Sequence, residues 1–97
     1  MQKIKVLVID DSPVFCKIIE ASLAQEKDIQ VVGTVHSGSQ ALDWVLSNPP
    51  DLVTLDVEMP GENGLEILKK IQALNQLDKG HPPIGVIMVS AFTRKGA

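Results

Sequence analysis

An open, mostly parallel α/β sheet is the fold this chain predicts, and three observations predict it. Four short apolar runs, at residues 4–9, 29–35, 52–55 and 84–89, are β-branched and aliphatic with little polar alternation. Strands read that way when a parallel sheet is covered on both faces. Stretches with helical spacing separate the runs, and the connections are short, as right-handed β-α-β crossovers require. Finally, two of the runs end abruptly in acid: Asp10-Asp11 after the first and Asp56 after the third.

Each helix has its own signals. In the first, Val14, Phe15, Ile18, Ile19 and Leu23 form the apolar stripe, with Ser12 as N-cap and Pro13 at the first helical position. Cys16 lies beside that stripe and reads as a small packing residue. The second carries Ala41, Leu42, Val45 and Leu46, with Trp44 as partial core, and Asn48-Pro49-Pro50 stops it. Asn63 starts the third, whose stripe is Leu65, Leu68, Ile71 and Leu74 and which ends before Lys79-Gly80-His81-Pro82-Pro83. After the fourth strand comes a loop to Ala97, so the βα repeat looks unfinished. A sheet ending there leaves residues 84–89 as an edge and Val6 and Val8 poorly covered, and such a chain is expected to be either marginally folded or self-associated through that strand or the bare face.

Composition narrows the function. Ninety-seven residues make one domain, 1–97. With 44% hydrophobic but only 3% aromatic residues, aliphatic side chains must fill the core. A formal charge of −3 argues against direct nucleic-acid binding, and Lys69-Lys70 and Arg94-Lys95 read as solvated charges. Cys16 is the only cysteine, which excludes an internal disulfide or a cysteine metal cluster and suits a reducing, cytoplasmic setting. No signal peptide or membrane-spanning run is expected. His36 and His81 have no partner at ligand spacing and read as loop residues. Gly33 and Gly38 form no dinucleotide-binding fingerprint.

The acids carry the chemistry. Ligands of open α/β sheets bind beyond the carboxyl ends of the strands, where strand order reverses. If the first and third strands are neighbours there, Asp10, Asp11 and Asp56 converge. Crowded carboxylates repel unless a cation neutralises them. A hard divalent ion such as Mg²⁺ would take one or two side-chain oxygens, a backbone carbonyl and waters. An ionised aspartate beside it can act as a nucleophile and become an acyl phosphate. Ser90, at the tip of the fourth strand, would offer a hydroxyl to the phosphoryl group. Singly, Asp11 before Ser12-Pro13 reads as helix-start chemistry and Asp56 as a strand-end turn residue; together they read as one pocket.

These residues resemble the receiver domain of two-component response regulators. Asp10-Asp11 matches the family's acidic pair, Asp56 its phosphoacceptor, Met59-Pro60 and Gly64 the following turn, and Ser90-Ala91 its hydroxyl-small pair. The resemblance implies a flavodoxin-like doubly wound sheet of order 2-1-3-4-5. It implies Mg²⁺ held by the Asp11 and Asp56 side chains, by Asp10 through water and by the Glu58 backbone carbonyl, with Ser90 and Ala91 contacting the phosphoryl group and switching. It also implies a fifth strand with a lysine, then a last helix. Both would lie beyond Ala97, Lys95 is in the wrong element, and the domain reads as truncated at its C-terminus.

Residues 54–60, with Ile87-Met88-Val89-Ser90 running into Thr93-Arg94-Lys95-Gly96-Ala97, are most similar to the receiver of chemotaxis protein-glutamate methylesterases. That implies phosphoryl transfer from a chemotaxis-type histidine kinase onto Asp56, controlling an attached or downstream methylesterase. The esterase residues are not in this chain, so the resemblance implies that the chain itself is no enzyme and that its intact parent is a methylesterase. Three rivals stand beside this reading, one of them a plain binding module with no phosphotransfer. The Asp-x-Glu-Met-Pro phrase also occurs in receivers attached to DNA-binding domains. Asp56-Val57-Glu58 also suggests an aspartyl-nucleophile phosphatase, but there the motif follows the first strand and a threonine stands where this chain has Pro60.

Overall fold

The computed structural model describes residues 3–59, 61–77, 80 and 82–89. The elements run β1 (Ile4–Ile9), α1 (Pro13–Ala24), β2 (Ile29–Val35), α2 (Gly38–Ser47), β3 (Leu52–Asp56), β4 (Glu58–Met59), β5 (Glu62–Asn63), α3 (Gly64–Asn75) and β6 (Gly85–Val89). Four strands form one parallel sheet in the order β2-β1-β3-β6, the first four places of the order the resemblance implied. This is the flavodoxin-like arrangement. The chain reverses direction along the sheet after β2, which puts β1 and β3 side by side, with Ile9 opposite Leu55. β4 and β5 make a two-residue antiparallel pair between β3 and α3 that the sequence reading did not anticipate. The third strand runs one residue further than expected, through Asp56, and the fourth starts one later, at Gly85.

The helices begin where their caps dictate. Ser12 Oγ accepts from Phe15 N at 3.2 Å with Pro13 opening α1, and Asn63 Oδ1 accepts from Leu65 N at 2.8 Å. Ser37, not foreseen as a cap, accepts from Gln40 N to start α2. Asn75 takes both main-chain groups of Ile84, donating to its carbonyl at 2.9 Å and accepting from its N–H at 2.8 Å, and so ties the end of α3 to the approach to β6.

Two apolar layers sandwich the sheet. On one face Leu7, Ile9, Val53 and Leu55 pack with Ala41 and Val45 of α2 and Ile67 and Ile71 of α3. On the other, Val6 and Val8 pack with Cys16, Ile19 and Leu23 of α1. Here three expectations need correction. Val6 and Val8 are fully buried, because α1 lies across them. The expected stripe residues Val14 and Ile18 are instead 69% and 54% exposed, since α1 presents Cys16, Ile19 and Leu23 to the sheet. In α3 Leu65 points outward and Ile67 takes its place in the core; Leu46 of α2 is likewise exposed. Trp44 is half-buried against the core, as expected, and lies on Gly33, where the β1–β2 register slips by one residue. No described helix is long and apolar enough to cross a membrane.

Candidate functional site

The strand order delivers the acids to one place. Asp10 follows the last residue of β1 and Asp56 ends β3, its neighbour; Asp11 continues from Asp10. One carboxylate oxygen from each of the three lies within 4.8 Å of the others. Asp10 and Asp56 are both 1% exposed, while Asp11 is half-buried. At that spacing two buried charges repel by roughly 3 kcal/mol at an effective dielectric constant of about 20. An all-oxygen donor set of this kind fits a hard divalent cation.

Local backbone geometry aims the two buried acids in the same way. Ser12 N donates to Asp10 Oδ1 at 2.9 Å, and Glu58 N donates to Asp56 Oδ1 at 3.1 Å. Each is an aspartate accepting from the N–H two residues on, a turn that ends a strand and orients the carboxylate at once. The strand-end turn read for Asp56 is present, whereas the helix-start role read for Asp11 falls to its neighbour Asp10. Glu58 itself is exposed and pairs with Asn63 across the β4–β5 ribbon.

Behind Asp56 the chain turns tightly. Gly64 N donates to Val57 O at 3.2 Å, and a Cβ on Gly64 would lie 2.5 Å from Asp56 O and 2.9 Å from both Val57 Cα and Val57 O. Only glycine lets the start of α3 approach the end of β3 so closely. The sequence marked Gly64 through the family turn without showing this reason.

Two side chains at this site were read differently. His36, taken as a loop residue, places Nδ1 2.9 Å from Asp10 O. Cys16 is buried as expected, yet its Sγ also donates to Asp10 O at 3.4 Å. Neither contact had a signal in the sequence, because 26 and 6 residues separate the partners. Pro60, His81, Ser90, Ala91 and Lys95 lie outside the described residues.

Comparison with known proteins agrees with this fold. The family model for the response regulator receiver domain matches residues 6–96. The protein-glutamate methylesterase/protein-glutamine glutaminase of Geobacillus kaustophilus is 44% identical over 97 residues, covering 100% of this chain and 26% of that protein. The Bacillus subtilis protein of the same name is 45% identical over 93 residues, covering 96% and 24%. This chain therefore spans about a quarter of the length of these relatives. Among solved structures, the response regulator domain of Thermotoga maritima CheB superposes with a TM-score of 0.79 at 38% identity, covering 99% of this chain and 66% of that one. The N-terminal domain of a response regulator receiver protein from Methanoculleus marisnigri gives 0.70 at 32% identity, covering 87% and 63%.

Proposed function

The chain belongs to the response regulator receiver domain family, and from that premise we propose that it accepts a phosphoryl group from a chemotaxis-type histidine kinase onto Asp56. The observation that carries this reading is the convergence of Asp10, Asp11 and Asp56 within 4.8 Å at the carboxyl ends of adjacent strands. In this reading residues 1–97 are one receiver domain of a longer cytoplasmic protein whose output is a methylesterase, the activity named for the relatives at 44% and 45% identity. The DNA-binding and phosphatase alternatives have less support: the two relatives above, matched over nearly all of this chain, carry the methylesterase name, and Asp56 ends the third strand of the chain rather than its first.

The chemistry follows from the acid positions. Glu58 N–H orients the Asp56 carboxylate. One of its oxygens attacks phosphorus; a P–O bond forms, the P–N bond of the phosphohistidine breaks, and the departing imidazole takes up a proton. Asp10, Asp11, Asp56 and the Glu58 carbonyl would hold Mg²⁺, which when bound offsets the negative charge of the phosphoryl oxygens. Ser90 would donate to a phosphoryl oxygen and Ala91 would leave room for the rearrangement that signals it. Burial of Asp10 and Asp56 keeps the reacting group out of bulk water and the carboxylates fixed before the donor arrives.

The test is phosphorylation by acetyl phosphate with Mg²⁺, read by intact-protein mass spectrometry. The wild-type protein is expected to gain one phosphoryl group and Asp56→Asn none, with an unchanged circular dichroism spectrum. A phosphoryl group retained in Asp56→Asn sinks the assignment. Sustained release of phosphate without an accumulating adduct would point to a phosphatase instead.

A further inference from the structure

The peptide group joining Asp10 to Asp11 is held from outside the acidic cluster. Its carbonyl oxygen, Asp10 O, lies 2.9 Å from His36 Nδ1 and 3.4 Å from Cys16 Sγ. A carbonyl only accepts, so the imidazole must carry its proton on Nδ1 and donate it, and the thiol donates its S–H to the same oxygen. The two donors lie 3.8 Å apart. Each is itself anchored: His36 N–H donates to Gln40 Oε1 at 3.0 Å in the first turn of α2, and Cys16 N–H donates to Ser12 O at 3.0 Å in the first turn of α1. Three elements thus meet on one oxygen.

That oxygen has leverage over the acids. A peptide unit is planar, so swinging its carbonyl changes ψ of the residue before it and φ of the residue after it together. For this peptide the two residues are Asp10 and Asp11. Its orientation therefore decides how the two carboxylates stand relative to one another. Asp10 is already tied on its amino side by Asp10 N–H donating to Val35 O at 3.0 Å, and its carboxylate by Ser12 N. Clamping the carbonyl removes the remaining rotation.

We propose that His36, supported by Cys16, is a positioning residue for the acidic cluster: its Nδ1–H fixes the Asp10–Asp11 peptide plane so that both carboxylates meet one divalent cation. This rests on the reading of the cluster as a Mg²⁺ site. His36 touches neither cation nor phosphoryl group. It acts only through the main chain, which is why the residue type needed is a donor of the right reach and not a ligand.

The experiment is Mg²⁺ titration of the intact protein by calorimetry, with acetyl phosphate kinetics and ¹⁵N spectroscopy of the His36 ring beside it. His36→Leu keeps bulk and loses the donor; His36→Asn restores an N–H near the position of Nδ1. Removing an outer support of a metal site costs about 10–100-fold in affinity. His36→Leu is expected to weaken Mg²⁺ binding about tenfold, at the low end of that range because Cys16 remains. The phosphorylation rate at saturating Mg²⁺ is expected to stay within about twofold. His36→Asn should recover most of the affinity, and the neutral wild-type ring should be protonated at Nδ1. Wild-type affinity in His36→Leu, equal loss in the Leu and Asn variants, or a ring protonated at Nε2 each overturns the proposal. A wild-type protein that binds no Mg²⁺ fails differently, since it removes the metal-site reading itself. Cys16→Ser, which keeps a hydroxyl donor, should bind like wild type and Cys16→Ala more weakly; the reverse order also overturns it.

Discussion

Replacing Gly64 with alanine tests whether the end of β3 and the acidic cluster are one mechanical unit. The new Cβ would sit 2.5 Å from Asp56 O and 2.9 Å from Val57 Cα and Val57 O. Non-bonded heavy atoms prefer about 3.5–4.0 Å, so roughly 1 Å of separation must open. All three obstructing atoms are backbone, and no side chain can swing aside. β3 pairs with β1 on one side and β6 on the other, which leaves the start of α3 or the Asp56–Val57 peptide to move. Overpacking of this kind costs about 1–3 kcal/mol, and the backbone clash puts Gly64→Ala near the top. The gain from alanine over glycine in a helix offsets up to about 1 kcal/mol of that. A net loss of about 2 kcal/mol corresponds to a fall in Tm of roughly 8–16 °C for a domain of this size. Gly61→Ala is the control: its φ of 73° strains alanine, but nothing lies within 4 Å of the new Cβ. Urea unfolding with and without Mg²⁺ separates the two. Both variants should lose stability, but only Gly64→Ala should lose the Mg²⁺-dependent part, because only there does the Asp56 backbone move. A Gly64→Ala protein with wild-type stability and Mg²⁺ response would refute the coupling.

Three further outcomes are expected. Mg²⁺ at about ten times its Kd should add roughly 1.4 kcal/mol to stability; Asp11→Ala should abolish that shift and raise the metal-free Tm, and an unchanged Mg²⁺ response in a melt would count against the site. In Gly33→Ala the new Cβ would lie 2.4 Å from Trp44 Cη2 and 2.6 Å from Cζ2, so the indole must tilt away. Since Trp44 is the only tryptophan in the sequence, a red-shifted emission together with a loss of about 1–3 kcal/mol in urea is expected, and unchanged fluorescence would show that the ring does not rest on Gly33. A polypeptide of these 97 residues alone should self-associate, because Ile87 on β6 is 50% exposed and, opposite Thr54, lies on the sheet face that α1 covers, and Val14 and Ile18 of α1 are exposed as well; light scattering that finds a monomer with a sharp unfolding transition would contradict this.

What could be read in the sequence follows from how each feature is encoded. The four parallel strands were legible because burial on both faces erases polar alternation and leaves continuous apolar runs. The strand order followed from the resemblance, not from the runs. Helix positions were legible too, through Ser12, Pro13 and Asn63, whose short-range chemistry acts within one turn. The buried faces were less so. Apolar spacing gives the period of a helix but leaves its phase ambiguous wherever apolar residues exceed one stripe. Val14 and Ile18 have the same spacing credentials as Ile19 and Leu23, and only the angle at which α1 crosses the sheet decides between them. The same ambiguity exchanged Leu65 for Ile67 in α3.

The candidate site divides along a similar line. Its acids stand out because a carboxylate at the tip of an apolar strand is chemically conspicuous, and position along one strand is a one-dimensional fact. What surrounds them works through groups that every residue carries. Asp10 is held by the Val35 carbonyl and the Ser12 N–H, Asp56 by the Glu58 N–H, and Gly64 matters because of the main chain it meets. A backbone donor leaves no mark in composition or spacing; it becomes visible only when the turn has closed. His36 and Cys16 are an intermediate case. Their side chains are distinctive, but their target is a carbonyl, so no complementary residue elsewhere in the sequence points to them. The acids of such a cluster can thus be picked out before folding is known, whereas the groups that aim them are defined by the fold itself. It follows that mutations chosen from sequence alone will address Asp56 and Asp11, and will overlook His36 and the steric reason at Gly64, whose contacts with the main chain beside those acids appear only in the fold.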